Sequence, residues 1–174
     1  MHGLSGGPLA RGNAINARGR IVGIATSPGI SGRATRWNPD GTVTALGPTP
    51  LSLSEAKAIN NRGMSTGYAD VPSGDIHATL WDRAGNLTDL GTLGGQLAFG
   101  MHINKRDEVA GDSTTAAGAD TGFFWSRNSG MVPVNVSGGG SRLVSGLNGR
   151  VEVVSDTDIG GQSIAYQWTL RAAR

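Results

Sequence analysis

The sequence contains no cysteine, few aromatic residues, no long apolar run and no block of like charges. The absence of cysteine excludes disulfides, cysteine-based zinc sites and thiol nucleophiles. No apolar stretch approaches the roughly 20 residues that a membrane-spanning helix needs, so membrane insertion is not expected. The formal net charge is +2 and no basic run occurs, so nucleic acid is not an expected partner either.

Glycine, by contrast, is abundant, with 29 of the 174 residues. An interior glycine costs a helix about 1 kcal/mol relative to alanine, which argues against a helical protein. Collagen would require glycine at every third position, and that period is absent. The apolar fraction of 37% is too high for a disordered chain. We therefore predict one turn-rich, all-β repeat domain that spans residues 1–174.

A repeat of 44 residues organises the chain. Asparagine recurs at this interval, and tryptophan follows it 20 or 21 residues later each time. The asparagines are Asn16, Asn60, Asn104 and Asn148, and the tryptophans are Trp37, Trp81, Trp125 and Trp168. The spacing predicts repeats at approximately 1–44, 45–88, 89–132 and 133–174.

Each repeat is predicted to form four short strands. The first strand leads to the asparagine, and a turn such as residues 60–63 follows, whose glycine accepts a left-handed conformation. Asp107 replaces this glycine in the third repeat, and aspartate tolerates that conformation better than most residues. A recurring glycine in the second strand, Gly23 in the first repeat, predicts a close backbone approach. The tryptophan that ends each third strand is predicted to pack one repeat against the next.

Four strands in 40–50 residues is the spacing of a β-propeller blade. We therefore predict a β-propeller-like array of four repeats, in its simplest form a small four-bladed propeller. Six residues follow Trp168, too few for a full fourth strand in the last blade. The last blade then has three strands, the array continues beyond this chain, or self-association closes a larger ring. A β-solenoid is the alternative architecture.

Three segments together resemble the HAF repeat family, a group of tandem-repeat proteins expected outside the cell. The segments are AINARGRIVG at 14–23, HATLW at 77–81 and LGTLGG at 90–95. The family pattern looks like I-N-x-x-G-x-V-x-G, H-A-F-x-W and L-G-x-L-G-G, and the central triplet is degenerate in this chain. The resemblance implies an extracellular or cell-surface, propeller-like array, and it carries over no catalytic residue. The first seven residues lack the features of an export signal, so the sequence without the resemblance leaves the location open.

The most suggestive functional feature is an arginine two residues after each repeat asparagine. These arginines are Arg18, Arg62, Arg106 and Arg150. Equivalent turns of a closed propeller lie on one face, so the four guanidinium groups and the neighbouring asparagines would surround the axis. Arginine suits carboxylate, sulfate and phosphate groups, so the expected ligand is a small anion or an acidic glycan. The competing interpretation is that arginine fills an exposed turn position that tolerates any polar residue.

Two other patterns are interpreted as structural. The tryptophans could stack on sugars, but their fixed place at a strand end favours core packing. Three aspartates follow the second strands and three more lie in the same loops, where they could bind a cation. They are Asp70, Asp112 and Asp156, with Asp75, Asp120 and Asp158. Their spacings differ between repeats and no calcium-binding loop occurs, so neither a metal nor another cofactor is predicted.

No catalytic residue is predicted. The three histidines fall at unrelated repeat positions, and neither a phosphate-binding loop nor a dinucleotide fingerprint is present. We therefore predict a non-enzymatic, lectin-like module that binds a ligand or partner. The alternatives are a structural or assembly module and an enzyme that acts on polysaccharide.

Overall fold

The computed structural model of the chain describes residues 9–27, 30–48, 53–134, 142–159 and 162–169. These residues form fifteen strands and no helix, which confirms the all-β prediction. The strands are β1 (Ala10–Ile15), β2 (Ile21–Ser27), β3 (Ile30–Trp37), β4 (Val43–Ala45), β5 (Ser54–Ile59), β6 (Ser65–Asp70), β7 (Ile76–Trp81), β8 (Leu87–Gly91), β9 (Gly94–Ile103), β10 (Val109–Thr115), β11 (Asp120–Ser126), β12 (Gly130–Val134), β13 (Arg142–Leu147), β14 (Glu152–Ile159) and β15 (Gln162–Thr169). Across these ranges, no helix exists that could cross a bilayer.

Each repeat is an antiparallel meander. Repeat 1 forms the sheet β1–β4, and repeat 4 contributes β13–β15. Repeat 2 (β5–β8) and repeat 3 (β9–β12) share one eight-stranded sheet, joined by a parallel bridge between Ile76 and Leu97. The predicted four-strand unit is thus present in repeats 1 to 3. None of the sheets closes on itself within the described ranges.

The first two strands of each repeat form a bulged hairpin. In repeat 1 the pairing of β1 with β2 shifts between Gly12 and Ala14, and similar shifts occur in the other three repeats. At the bulge the carbonyl of Arg11 lies against Gly23, where any Cβ would collide with it. Gly67 and Gly111 meet the corresponding carbonyls of the next two repeats. The predicted close approach is confirmed, and the bulge is its cause.

The turn after each first strand has a residue with positive φ. Gly19 and Gly63 have φ of 72° and 85°, and Asp107 takes the same conformation at 66° in repeat 3, as predicted. Repeat 4 places Val151 there at φ 64°. A β-branched side chain in this region is strained, by an amount on the order of 1–3 kcal/mol.

The hydrophobic core lies between neighbouring repeats rather than inside them. Trp81 of repeat 2 is fully buried against Val22 of β2 and against Leu46, which directly follows β4. Trp125 packs on the cluster between repeats 2 and 3, and Trp168 on the cluster between repeats 3 and 4. The prediction that tryptophan packs one repeat against another is therefore confirmed for these three.

Candidate functional site

The repeat asparagines form a hydrogen-bonded ladder across the joints between repeats. Asn16 Nδ2 donates to Asn60 O at 3.0 Å, Asn60 Nδ2 to Asn104 O at 2.9 Å, and Asn104 Nδ2 to Asn148 O at 3.0 Å. The side-chain oxygen of each asparagine accepts from the backbone N–H groups two and four residues ahead. One side chain thus shapes its own turn and fixes it beside the next turn.

Three of these asparagines are buried, and their side chains bond to the protein itself. Asn16, Asn60 and Asn104 are 8%, 7% and 5% exposed, and their amide groups are engaged in the ladder. Asn148 is exposed, and its Nδ2 donates to Glu152 of its own repeat. The asparagines that the sequence grouped with the arginines therefore lie where they position the turns.

The four arginines lie on the turns that the ladder aligns. We call Arg18, Arg62, Arg106 and Arg150 the arginine row. All four are exposed, and the backbone N–H of each is bonded to the asparagine of its turn. Of the four, Arg62 alone forms an ion pair within the described part of the chain, at 3.4 Å from Asp107 of repeat 3. The structure therefore places the four arginine-bearing turns side by side.

A buried carboxylate that the sequence reading missed connects repeats 1 and 2. Glu55 is 3% exposed and accepts from Arg11, from Asn13 at 2.7 Å and from the Tyr68 hydroxyl at 2.7 Å. Lys57 Nζ lies 3.0 Å from its other oxygen. Burial by itself would raise the pKa of Glu55, but these donors together hold it at about 2. Burial and the bond to Glu55 raise the pKa of Tyr68 to about 12.

The Glu55 network connects repeats 1 and 2, and its carboxylate is already occupied by donors of the protein. Four donors surround the carboxylate, so it has little capacity left for a substrate proton. Arg11 and Glu55 occupy the same position in successive repeats, 44 residues apart. Opposite charges at equivalent positions were the signal that could have revealed this contact from the sequence.

The joint between repeats 3 and 4 uses a different carboxyl group. Asp112 accepts from the Val144 backbone N–H at 2.8 Å, and His102 Nε2 donates to the Val144 carbonyl at 3.2 Å. Burial raises the pKa of Asp112 to about 6, although the bond from Val144 opposes the shift. Burial also lowers the pKa of His102. One residue of repeat 4 is thus held by two side chains of repeat 3.

The aspartates considered as cation ligands are not gathered into one site. Asp70 accepts from the Leu53 backbone N–H at 3.1 Å, and Asp112 holds Val144. Asp120 and Asp156 are exposed, and the side chain of Asp158 lies outside the described residues. Across the ranges that the structure describes, no three histidine or acidic side chains are placed to share a metal ion.

A cavity of about 380 Å³ opens beside Arg11. Its lining is mainly apolar, and Arg11 is its one charged residue among Leu9, Ala10, Ile24, Ala25 and Thr26. No acid–base pair occurs among the described residues that line it. Comparison with known protein families and with curated proteins finds no match.

Proposed function

We propose that this protein is a non-enzymatic binding module whose arginine row holds anionic ligands, acidic glycans above all. The observation that carries the proposal is the asparagine ladder, because it places successive arginine-bearing turns directly beside one another. Arginine presents a planar set of donors that matches carboxylate and sulfate groups.

A row of arginines favours a polymer over a single small anion. One exposed ion pair contributes roughly 0.2–1 kcal/mol, which is too little for useful affinity. Several such contacts along one chain add up, because each bound charge keeps the next one close to its partner. Arg62 already pairs with Asp107, so Arg18, Arg106 and Arg150 are the main contacts in this proposal.

The experiment is a titration with sulfated dextran and with polygalacturonate. Replacing Arg18, Arg106 and Arg150 by glutamine should weaken binding about tenfold or more, and should reduce the dependence of affinity on salt. Arg106→Gln alone should weaken binding more than Arg127→Gln. Both residues are exposed in repeat 3, but Arg127 lies on the turn between β11 and β12. Equal effects of the two single variants, or an unchanged triple variant, would contradict the proposal.

The proposal includes a propeller-like architecture and a location outside the cell, as the resemblance to the HAF repeat family implies. The support for the architecture is that the ladder and the tryptophan contact recur at successive joints. The ring closes within one chain or as part of a larger assembly.

An assembly module is the second candidate, and it rests on Ile15. The equivalent residues Ile59 and Ile103 pack against the cores between repeats, whereas Ile15 is 65% exposed. Its position therefore fits a surface on which another repeat packs. The mass in solution tests this candidate: a concentration-dependent oligomer that Ile15→Ser dissolves supports it, and a monomer at all concentrations contradicts it.

A further inference from the structure

Three arginines from two repeats lie around two neighbouring turns, residues 60–63 and 82–85. Arg20 Nη1 lies 2.8 Å, and Arg83 Cγ 3.4 Å, from the point that a Cβ on Gly63 would occupy. Arg36 Nη1 donates to the Arg83 carbonyl at 3.0 Å. Arg20 and Arg36 belong to repeat 1, whereas Gly63 and Arg83 belong to repeat 2. The glycine therefore leaves room for a guanidinium group at this joint.

Arg36 is a cation at a position that the next two repeats fill with apolar side chains. The equivalent residues are Leu80 and Phe124, both buried. Arg36 is itself only 7% exposed, and its Nε atom has no hydrogen-bond partner among the described residues. Burial lowers the pKa of Arg36, and the nearby charge of Arg20 lowers it further. A buried cation with a free donor is costly unless an anion neutralises it.

The nearby carboxylates are engaged elsewhere. Asp82 is close enough to attract Arg36, but it accepts from the backbone of its own turn and from the Asn86 amide. Asp40 accepts from the backbone and the hydroxyl of Thr42. Among the described residues, no carboxylate lies within ion-pair distance of any of the three arginines.

We propose that Arg20, Arg36 and Arg83 form an arginine clamp that binds one small oxyanion between repeats 1 and 2. The ligand group is a phosphate, a sulfate or a carboxylate, the groups that guanidinium donors bind best. The clamp is independent of the arginine row: it binds one anion in one place, and the three residues that form it are not repeated together in repeats 2 to 4.

The test is calorimetric titration with inorganic phosphate, sulfate and acetate at low ionic strength. The unaltered protein should bind one equivalent, and Arg20→Gln, Arg83→Gln and Arg36→Leu should each weaken binding about tenfold or more. Arg36→Leu copies Leu80 of repeat 2, so the fold should tolerate it. If it does not fold, the two glutamine variants decide. Preference for phosphate and sulfate assigns a tetrahedral ligand group, and preference for acetate assigns a carboxylate.

Two control variants separate the clamp from the row. Arg127→Gln changes the repeat 3 counterpart of Arg83 and should leave the affinity for phosphate unchanged, as should Arg106→Gln. The absence of saturable binding, or unchanged binding in all three clamp variants, would overturn the clamp without affecting the polyanion result. If Arg106→Gln alone lost its affinity for phosphate, the anion would bind at the arginine row, and the clamp would equally be overturned.

Discussion

The joint between repeats 1 and 2 and the joint between repeats 3 and 4 share a backbone plan and differ in their side chains. The asparagine ladder crosses both joints, and a tryptophan of the later repeat packs on the earlier repeat in both. In the joint between repeats 1 and 2, Trp81 is completely buried and four donors surround Glu55. In the joint between repeats 3 and 4, Trp168 is only half-buried, and Asp112 accepts from one backbone N–H group.

The difference shows that the repeated residues specify how neighbouring repeats meet, and that the variable residues specify how tightly. Asparagine, turn glycine and tryptophan recur because each repeat needs the same turn and the same contact. The charges vary from joint to joint, so stability and pH response should vary along the array. Separate perturbations of the two joints test this interpretation.

The largest effect is expected from removal of the buried tryptophan. Trp81→Ala should lower the free energy of unfolding by about 3–5 kcal/mol, because it leaves a cavity between two repeats. Trp168→Ala should cost about half as much, since that ring is only half-buried. Urea unfolding measures both values. Trp81→Phe is the control, because it keeps most of the apolar contact and removes an indole N–H that has no hydrogen-bond partner among the described residues. Equal losses at the two tryptophans would contradict the comparison.

Removal of the Glu55 carboxylate should come next in size. Glu55→Ala leaves Arg11, Lys57 and Tyr68 without their common acceptor and should cost about 3 kcal/mol. The folded-state pKa of Glu55, about 2, lies below its ordinary value of 4.5. Its stabilisation is therefore complete above that ordinary value and disappears as the pH falls through about 2. Acid unfolding that is identical in the Glu55→Ala variant and the unaltered protein would contradict this role.

Asp112 should give a pH response of the opposite sign. Its folded-state pKa, about 6, lies above the ordinary value of 3.8, so folding favours the protonated form. That stabilisation is complete below 3.8 and disappears as the pH rises through about 6. Asp112→Asn should remove the response and stabilise the protein near neutral pH, on the order of 1–2 kcal/mol after allowance for solvent screening. Unfolding followed between about pH 5 and 7 checks this expectation. A variant that keeps the pH response would show that another group is responsible.

The smallest effect is expected at the positive-φ position of the turn after each first strand, which Val151 occupies in repeat 4. Val151→Asp places in repeat 4 the residue that repeat 3 uses at the same φ, and should let Arg106 pair with it as Arg62 pairs with Asp107. Relief of strain, less the lost packing of the valine, should stabilise the protein by about 1 kcal/mol. The reciprocal Asp107→Val should destabilise it, because Asn60 also loses an acceptor. Thermal unfolding of both variants checks the pair, and a destabilised Val151→Asp variant would contradict the account.

Much of this arrangement follows from the repeat alone. The interval of 44 residues predicted the meanders, the left-handed Asp107 and the packing of tryptophan between repeats. The interval alone does not predict the Glu55 network, which only the opposite charges of Arg11 and Glu55 at equivalent positions signal. Nor does it predict that Arg20, Arg36 and Arg83 lie close together, because their positions vary between repeats. Their geometry depends on how closely successive repeats approach, and strand patterns contain no information about that distance.

The asparagine ladder couples neighbouring repeats. Asn60 and Asn148 make the same two bonds within their turns, but Asn60 also donates across a joint, to Asn104 and Asp107. The free energy of unfolding of Asn60→Ala, compared with that of Asn148→Ala, measures this coupling. We expect Asn60→Ala to lose about 1–3 kcal/mol more than Asn148→Ala, because a buried bond between repeats disappears. Equal losses in the two variants would show that the asparagines only shape their own turns and would contradict this coupling.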